Sequence, residues 1–354
     1  MVFSSLTFLF AFLPITLILY YLVPKKAKNV VILISGLVFY AWGEPIYVLV
    51  MILSTFIDYT AGRIIDKYDD RPKIRTACLL VSLIMNIGLL ATFKYLGFII
   101  EALNAGFGIA IPNPNLPLPI GISFFTFQSM SYTIDIYRGQ LKPLGNWCDY
   151  LFYLSFFPQL VAGPIVRARD FIPQIRQNPI VVTREMFGTG VFLILTGLFK
   201  KAIISDYISL NFVDRIFDEP LLYSGFECLM GIYGYALQIY CDFSGYSDMA
   251  IGIALLLGFR FPKNFDAPYK SATITEFWRR WHISLSSWLR DYLYISLGGN
   301  RKGRIRTYGN LLLTMLLGGL WHGAAVRFIL WGGLHGAALA LHKPVSYTHL
   351  TLPT

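Results

Sequence analysis

Charged side chains and reactive motifs are scarce in this sequence. Only 14% of the 354 residues are Asp, Glu, Lys or Arg, whereas 55% are hydrophobic, and soluble domains carry roughly 25% charged residues. The sequence contains no phosphate-binding G-x-x-x-x-G-K-[ST] loop, no H-E-x-x-H zinc motif and no G-x-S-x-G nucleophile elbow. The four cysteines lie far apart, so their spacing indicates neither a zinc site nor a disulfide framework. The common soluble enzyme classes therefore find no support.

Long uncharged runs take the place of these motifs. Residues 2–23 contain no charged side chain and are long enough for a spanning helix of about 20 residues. Because residues 1–7 contain no Lys or Arg, we interpret this run as an uncleaved span rather than a secretory signal. Further runs occupy residues 29–40, 45–57, 77–93, 186–199, 224–240 with 249–258, and 310–325. We predict an all-α, polytopic membrane protein with about nine spans.

The distribution of charge predicts an orientation. The net charge of +10 would suggest nucleic-acid binding in a soluble protein, but in a membrane protein such an excess reflects basic cytoplasmic loops. Basic residues cluster at 25–28, 63–75, 167–184 and 259–308, whereas the connection 101–119 has none and 211–223 is acidic. We therefore expect no nucleic-acid partner, basic loops in the cytoplasm and the N-terminus outside.

Two polar stretches interrupt the apolar pattern. Residues 224–258 are too long for one vertical helix and contain the polar run 242–248, with Asp242, Ser244 and Asp248. Residues 112–119, rich in Pro and Asn, precede the apolar stretch 120–136. Since polar groups at membrane depth are buried in protein or line a wet cavity, we expect a re-entrant or broken element at both places. The three polar residues either hold helices together or mark an ion path, which keeps a transporter as an alternative.

Residues 262–297 indicate an interfacial amphipathic helix. Residues 273–276 (TITE) fit a capping box that would start the helix. Beyond it, Phe277, Trp281, Trp288 and Tyr292 fall close to one face, with arginines interspersed. Such a helix is suited to lie at the cytoplasmic interface as a simple anchor, or to dip into the protein.

Histidines are the candidates for chemistry. His322 lies in an apolar helix between Gly319 and Gly323, where it is either a packing residue or, because ionisable groups are costly in a membrane, a functional one. An apolar environment favours the neutral imidazole that a general base needs. His282 shares a predicted helical stripe with Trp278, and it could equally be an interfacial residue with one hydrogen bond. Nothing in the pattern assigns a role to His335 or His342.

Several motifs together resemble one family. They lie at residues 39–45 (FYAWGEP), 119–128 (PIGISFFTFQ), 157–164 (FPQLVAGP), 242–252, 276–286 (EFWRRWHISLS), 297–301 and 318–323. In this order they resemble the membrane-bound O-acyltransferase family, in its bacterial alginate O-acetyltransferase branch, and the match runs from about residue 1 to 342.

The resemblance implies a fold and an activity. The fold is a ring of tilted helices around a central funnel in the bacterial inner membrane, with neither a bound cofactor nor a metal. His322 matches the essential histidine of the family and His282 matches its second one. Similar proteins take an acyl group from a cytoplasmic thioester, acetyl-CoA or an acyl carrier protein. They pass it to an extracytoplasmic partner of the SGNH-hydrolase type that acetylates an exported polysaccharide.

These implications combine with the residue pattern into a hypothesis. His282 and Trp321 would shape the site around His322, and the helix carrying Trp278, Arg279 and Arg280 would meet an anionic donor together with the loop that contains Asn300. Lipid headgroups are an equally good partner for the arginines. The alternatives are D-alanyl transfer to teichoic acid, a transporter without covalent chemistry, and a scaffold subunit. We expect one membrane domain at 1–342, continued in the native protein, and a non-native tail at 343–354.

Overall fold

The computed structural model describes residues 1–43, 45–177 and 180–350, with side chains to residue 342. Within these ranges the chain forms helices and no strand. The helices are α1 (Leu13–Leu22), α2 (Lys28–Ala41), α3 (Tyr47–Lys67), α4 (Pro72–Leu90), α5 (Leu96–Phe107), α6 (Ile122–Tyr137), α7 (Trp147–Ser155), α8 (Phe157–Leu160), α9 (Ala168–Ile175), α10 (Arg184–Leu198), α11 (Asp206–Ile208), α12 (Asp214–Asp218), α13 (Gly225–Leu256), α14 (Ile274–Arg280), α15 (Ile283–Trp288), α16 (Arg304–His322) and α17 (Val326–Leu350). The expected non-native tail, 343–354, lies outside the described side chains.

Short π-helical segments join several of these helices into longer rods. They are Phe8–Phe12, Ala91–Tyr95, Phe199–Ser205, Ser209–Val213 and Leu289–Tyr294. Three continuous rods, Tyr47–Lys67, Pro72–Phe107 and Arg184–Asp218, are long and apolar enough to cross a membrane, and Phe8–Leu22 is a shorter apolar helix. The predicted all-α membrane fold is confirmed, whereas the count of nine spans stays a prediction.

The chain divides into two compact units. The first comprises residues 1–50, 148–166 and 170–263. Its α10 and α13 cross at glycine pairs: a Cβ atom on Gly252 would lie 2.5 Å from the carbonyl oxygen of Gly190, and Gly197 meets Gly245 in the same way. Small residues at such crossings let two helix backbones approach within a membrane.

Ion pairs complete the crossing of α10 and α13. Lys200 pairs with Asp248 at 2.6 Å and Lys201 pairs with Asp242 at 2.5 Å. The predicted break within 224–258 is wrong, because α13 runs through this region as one helix of 32 residues. The backbone groups in the interior of a helix are all hydrogen-bonded within the helix, and the two lysines neutralise the carboxylates that suggested a break. Ser244, between them, is buried.

The second unit comprises residues 51–147, 167–169 and 264–354. In it α16 packs against α17, with Gly319 of α16 against the carbonyl of Phe328. Buried polar groups join α3, α4 and α6: the Asp58 carboxylate accepts hydrogen bonds from Ser82 Oγ at 2.5 Å, from Asn86 Nδ2 at 2.9 Å and from Ser129 Oγ. A buried carboxylate needs such donors when no cation pairs with it.

The predicted amphipathic helix across residues 277–292 is wrong as one continuous element. Thr273 caps α14 as expected, since its Oγ1 accepts from the Glu276 amide at 3.1 Å. However, α14 ends at Arg280, and His282 adopts a left-handed conformation with φ 43° before α15 begins. A left-handed residue cannot continue a right-handed helix. The chain therefore turns at His282.

Candidate active site

His322 ends α16 with its side chain accessible. Its ring lies 5.1 Å from that of Trp321, 5.2 Å from Trp331 and 6.5 Å from Phe328, measured between centroids. Although aromatic rings surround it, the residue keeps exposed surface. Gly323 follows in an extended conformation and ends the helix. The imidazole is therefore held by its neighbours and still open to a ligand.

The fold brings His282 next to His322. The two imidazole centroids are 6.5 Å apart, and the His282 ring lies 5.9 Å from that of Trp321. His282 is only 1% exposed. Its positive φ costs energy for a residue with a Cβ atom, and such conformations concentrate at functional sites. His282 and His322 are 40 positions apart in sequence, yet together with Trp321 they form one cluster.

Trp278 belongs to a second layer of rings beside this cluster. Its ring lies 5.7 Å from that of Trp331 and 5.2 Å from that of His335, and the latter two are 4.6 Å apart. Trp331 was missed by the sequence analysis, and His335 was named there without a role. Their signal was their spacing of four on α17, which puts them on one helical face.

The two predicted arginines differ in their environment. Arg280 pairs with Glu276 at 2.7 Å, and the Ala272 amide together with this arginine holds the pKa of the Glu276 carboxyl below its usual range. Arg279 is exposed, and no carboxylate of the described chain lies within ion-pair distance of it. It lines a cavity of about 380 Å³ with Trp278, Ile283 and Arg290. Arg279, rather than Arg280, is thus available to an anion.

Asn300 is not part of the histidine cluster. It lies exposed in the loop between the segment Leu289–Tyr294 and α16. His322 is at the opposite end of α16, which has 19 residues and is therefore about 28 Å long. The prediction that the loop containing Asn300 meets an anionic donor stays a prediction, and α16 separates this loop from His322.

Lys94 is a further residue that the sequence analysis missed. It lies in the π-helical segment Ala91–Tyr95, inside the apolar rod Pro72–Phe107. Its ammonium donates to Ser123 Oγ at 2.9 Å and to the carbonyl of Trp321. An isolated lysine in a membrane helix was the available signal, since such charges are costly and mark function.

An ionic cluster fixes the segment Leu289–Tyr294. Arg167 Nη1 donates to Asp291 Oδ2 at 2.7 Å, and the Tyr292 hydroxyl donates to Asp135 at 2.8 Å. Burial alone would raise the pKa of Asp291, but hydrogen bonds from Arg290 and Arg167 outweigh it and hold the pKa below its usual range. These contacts anchor the chain that follows α15.

The sequence profile of the membrane-bound O-acyltransferase family matches residues 141–350, more than half of the chain. This chain belongs to the membrane-bound O-acyltransferase family. Within the described residues of this O-acyltransferase, no group of three or more His, Cys, Asp or Glu side chains is arranged to hold a metal ion.

The names of the relatives of this O-acyltransferase describe acetyl transfer to alginate or peptidoglycan and D-alanyl transfer to teichoic acid. The "Probable alginate O-acetylase AlgI" of Pseudomonas syringae pv. tomato is 46% identical over 98% of this chain and 67% of its own length. The peptidoglycan O-acetyltransferase of Helicobacter pylori is 37% identical over the whole chain and 73% of its length. The teichoic acid D-alanyltransferase of Bacillus subtilis is 32% identical over 66% of this chain and 60% of its length. The chain spans about two thirds of the length of the alginate-type relatives.

Proposed function

We propose that this O-acyltransferase passes an acetyl group from a cytoplasmic thioester donor toward an exported polysaccharide, with His322 as the general base. The observation that carries the proposal is the accessible imidazole of His322 at the end of α16, 6.5 Å from the buried His282 ring. Family membership supports the reaction class, and the names of the relatives at 44–46% identity support acetyl transfer to a polysaccharide.

The reaction is a direct acyl transfer. The oxygen of the acceptor hydroxyl attacks the thioester carbonyl carbon while His322 removes the hydroxyl proton. When the tetrahedral intermediate collapses, the C–S bond breaks, the ester remains on the acceptor and the thiolate takes up the proton as a thiol. The rings of His282 and Trp321 lie next to the His322 ring and would hold it in place.

The donor is acetyl-CoA or an acetylated carrier protein, both of which carry phosphate. Arg279 lines the cavity of about 380 Å³, and no carboxylate of the described chain lies within ion-pair distance of it; guanidinium groups bind phosphate well. Trp278 lines the same cavity and contacts the rings of Trp331 and His335. The cavity wall therefore connects Arg279, which would bind the phosphate, through Trp278 to the rings beside His322.

The acceptor side lies across the membrane. Basic residues avoid the connections 101–119 and 43–44, which supports the inner membrane with basic loops in the cytoplasm. An extracytoplasmic acetyltransferase of the SGNH type would receive the acetyl group there and modify the polysaccharide.

D-alanyl transfer to teichoic acid is the second candidate. It rests on the match to D-alanyltransferases, which covers 66% of this chain at 32% identity. Acetyl transfer is favoured because the matches at 44–46% identity cover 97–98% of the chain.

The test is the O-acetyl content of exopolysaccharide from cells whose chromosomal gene carries His322→Ala. Removal of a general base lowers the rate by about 100-fold or more, so we expect acetylation to fall to background at an equal level of protein in the membrane. His342→Ala is the matched control, because His342 contacts Thr275 rather than the histidine cluster.

Equal acetylation in wild-type and His322→Ala cells would contradict catalysis by this residue. If His282→Ala were neutral as well, a scaffold subunit would replace the enzyme. Loss of D-alanine esters with unchanged acetate would select the second candidate.

A further inference from the structure

Lys94 is a charged residue where charge is costly. It lies inside a 36-residue apolar rod, Pro72–Phe107, and a charged side chain within a membrane-spanning helix is costly. The presence of a lysine at this position indicates that its ammonium has a function that an apolar residue cannot supply.

The ammonium of Lys94 binds the end of the helix that carries His322. The last carbonyls of an α-helix have no partner within the helix and carry partial negative charge. Lys94 donates to the carbonyl of Trp321, and the hydroxyl of Tyr95 donates to that of Leu320 at 2.8 Å. Ser123 completes the arrangement, because its Oγ accepts from Lys94 and its carbonyl accepts from Trp321 Nε1 at 3.2 Å. The C-terminal end of α16 is therefore capped from a neighbouring rod.

The π-helical segment Ala91–Tyr95 explains how two consecutive side chains reach the same helix end. In a regular α-helix neighbouring side chains diverge by about 100°. Single π-helical turns change that direction and occur frequently at functional sites. Here the segment directs both Lys94 and Tyr95 to α16.

The irregular chain segment that follows the rod Pro72–Phe107 runs back along this rod toward Lys94. Between Phe107 and Ile122 the chain forms no helix, and Asn113 donates to Glu101 at 3.1 Å and packs on Gly97, where a Cβ atom would lie 3.2 Å from its Nδ2. Asn113 thus lies about 15 Å back along the rod from Phe107. Non-helical backbone at membrane depth is tolerated where it lines a water-filled cavity. The return of this segment along the rod supports the re-entrant element expected at 112–119, which stays a prediction.

The cavity exists, and Lys94 lines it. It measures about 170 Å³, and its wall includes Thr92, Lys94, Asn113, Asn115 and Leu116. Small-molecule sites measure roughly 300–1,000 Å³, so this space is narrow and fits one side chain better than a sugar ring within a polymer. The amides and the ammonium are donors for a hydroxyl group.

We propose that this cavity is the site where the hydroxyl side chain of a protein acceptor approaches His322, and that Lys94 is the positioning residue at its inner end. The proposal rests on the proposed acyl transfer. One N–H of Lys94 holds α16, one holds Ser123, and an ammonium has a third. A ligand in the cavity and the carbonyl preceding His322 thereby contact the same charged group.

Lys94→Met and Lys94→Arg test the positioning role in membrane vesicles that contain the full-length enzyme, its extracytoplasmic partner and labelled acetyl-CoA. We expect Lys94→Met to lower kcat about 100-fold with the donor KM within about threefold of wild type, as for an interaction made during the reaction. Lys94→Arg retains the charge and the hydrogen-bond donors, so its kcat should be about tenfold higher than that of Lys94→Met. A Lys94→Met enzyme with wild-type kcat would overturn the role, as would equal losses in Met and Arg variants.

Leu116→Cys tests the cavity. Leu116 lines it and is 40% exposed, and it avoids the strain at Asn115, whose φ is 46°. In a background with the native cysteines replaced by serine, a membrane-impermeant thiol reagent added outside should modify Leu116→Cys and lower transfer at least about tenfold at unchanged donor KM. Leu118→Cys, in the same segment, 48% exposed and outside the cavity wall, should be modified without this loss.

Three outcomes separate the proposals. Absence of labelling at Leu116→Cys, or labelling without loss of transfer, overturns the cavity assignment while acyl transfer stands. Transfer to an added oligosaccharide in vesicles without the partner protein overturns the protein acceptor in favour of a sugar. Activity in His322→Ala overturns the acyl-transfer mechanism itself, whatever happens at Leu116.

Discussion

At the residue scale, His282 shows what sequence reasoning could reach and where it stopped. The histidine and its relation to His322 were predictable from motifs, but its left-handed backbone, φ 43°, was not, because a helical stripe with Trp278 fitted the pattern equally well. Lys94 was missed since its role depends on a contact with Trp321, more than 200 positions away. A sequence motif gives no distance between segments, so the length of about 28 Å by which α16 separates Asn300 from His322 was not predictable either.

The backbone of His282 leads to the first prediction. His282→Gly and His282→Ala both remove the imidazole, so both should lose acyl transfer. Glycine adopts a positive φ without penalty, whereas alanine pays about 1 kcal/mol. Purified His282→Gly should therefore unfold about 2 °C above His282→Ala in a thermal melt. An unfolding temperature of the alanine variant at or above that of the glycine variant would contradict the strained conformation.

The pair Arg167–Asp291 predicts a pH dependence of stability. Because the pKa of Asp291 is lowered in the fold, its carboxylate stabilises the fold above the unfolded pKa of about 3.9, and this stabilisation is lost as pH falls through the folded pKa. Asp291→Asn should lower stability at pH 7 by about 1–2 kcal/mol, after allowance for solvent screening, and the difference from wild type should shrink below about pH 4.

Asp69→Asn is the matched control for this pair. The Asp69 side chain pairs with Arg75 but is 80% exposed, so its loss should cost less than about 1 kcal/mol. A difference between wild type and Asp291→Asn that persists unchanged at low pH would show that the carboxylate charge is not the stabilising feature.

At the scale of elements, the position of apolar helices was predictable and their continuity was not. Polar residues suggested a break in α13, which stays intact because Lys200 and Lys201 pair with its carboxylates. The amphipathic stripe suggested one helix at 277–292, which breaks at His282. The first error has its cause in partners from another segment, and the second in the left-handed backbone of His282.

The crossing of α10 and α13 gives the prediction at this scale. Gly252→Ala puts a Cβ atom 2.5 Å from the carbonyl oxygen of Gly190, a distance that forces the backbones apart, and we expect a loss of about 2 kcal/mol or more. Gly188→Ala on α10 meets nothing within 4 Å and should be neutral or stabilising by up to about 1 kcal/mol. Thermal unfolding in detergent compares the two, and equal stability of both variants would contradict the close crossing.

At the scale of the whole molecule, composition and resemblance were sufficient for the class and the family. The uncharged runs at 77–93 and 186–199 fall inside two of the three rods that are long enough to span a membrane, and the run at 45–57 begins two residues before the third. The division into two compact units was not predictable, because runs of apolar residues give the position of helices along the chain but not which helices pack together.

Orientation in the membrane is the prediction at this scale. In a background without native cysteines, Leu221→Cys, 97% exposed in the acidic connection, should react with an impermeant thiol reagent on intact cells. Lys302→Cys, in the basic loop before α16, should react only after permeabilisation. The reverse pattern would contradict an N-terminus outside and basic loops in the cytoplasm.

The most direct test of the central claim is the rate of acetyl transfer by the purified full-length enzyme in liposomes, with and without His322→Ala, from labelled acetyl-CoA to the extracytoplasmic partner and polysaccharide. Catalysis by a general base predicts a fall in kcat of about 100-fold or more with the donor KM nearly unchanged. A variant that is correctly folded and transfers acetyl groups within about threefold of the wild-type rate would contradict it.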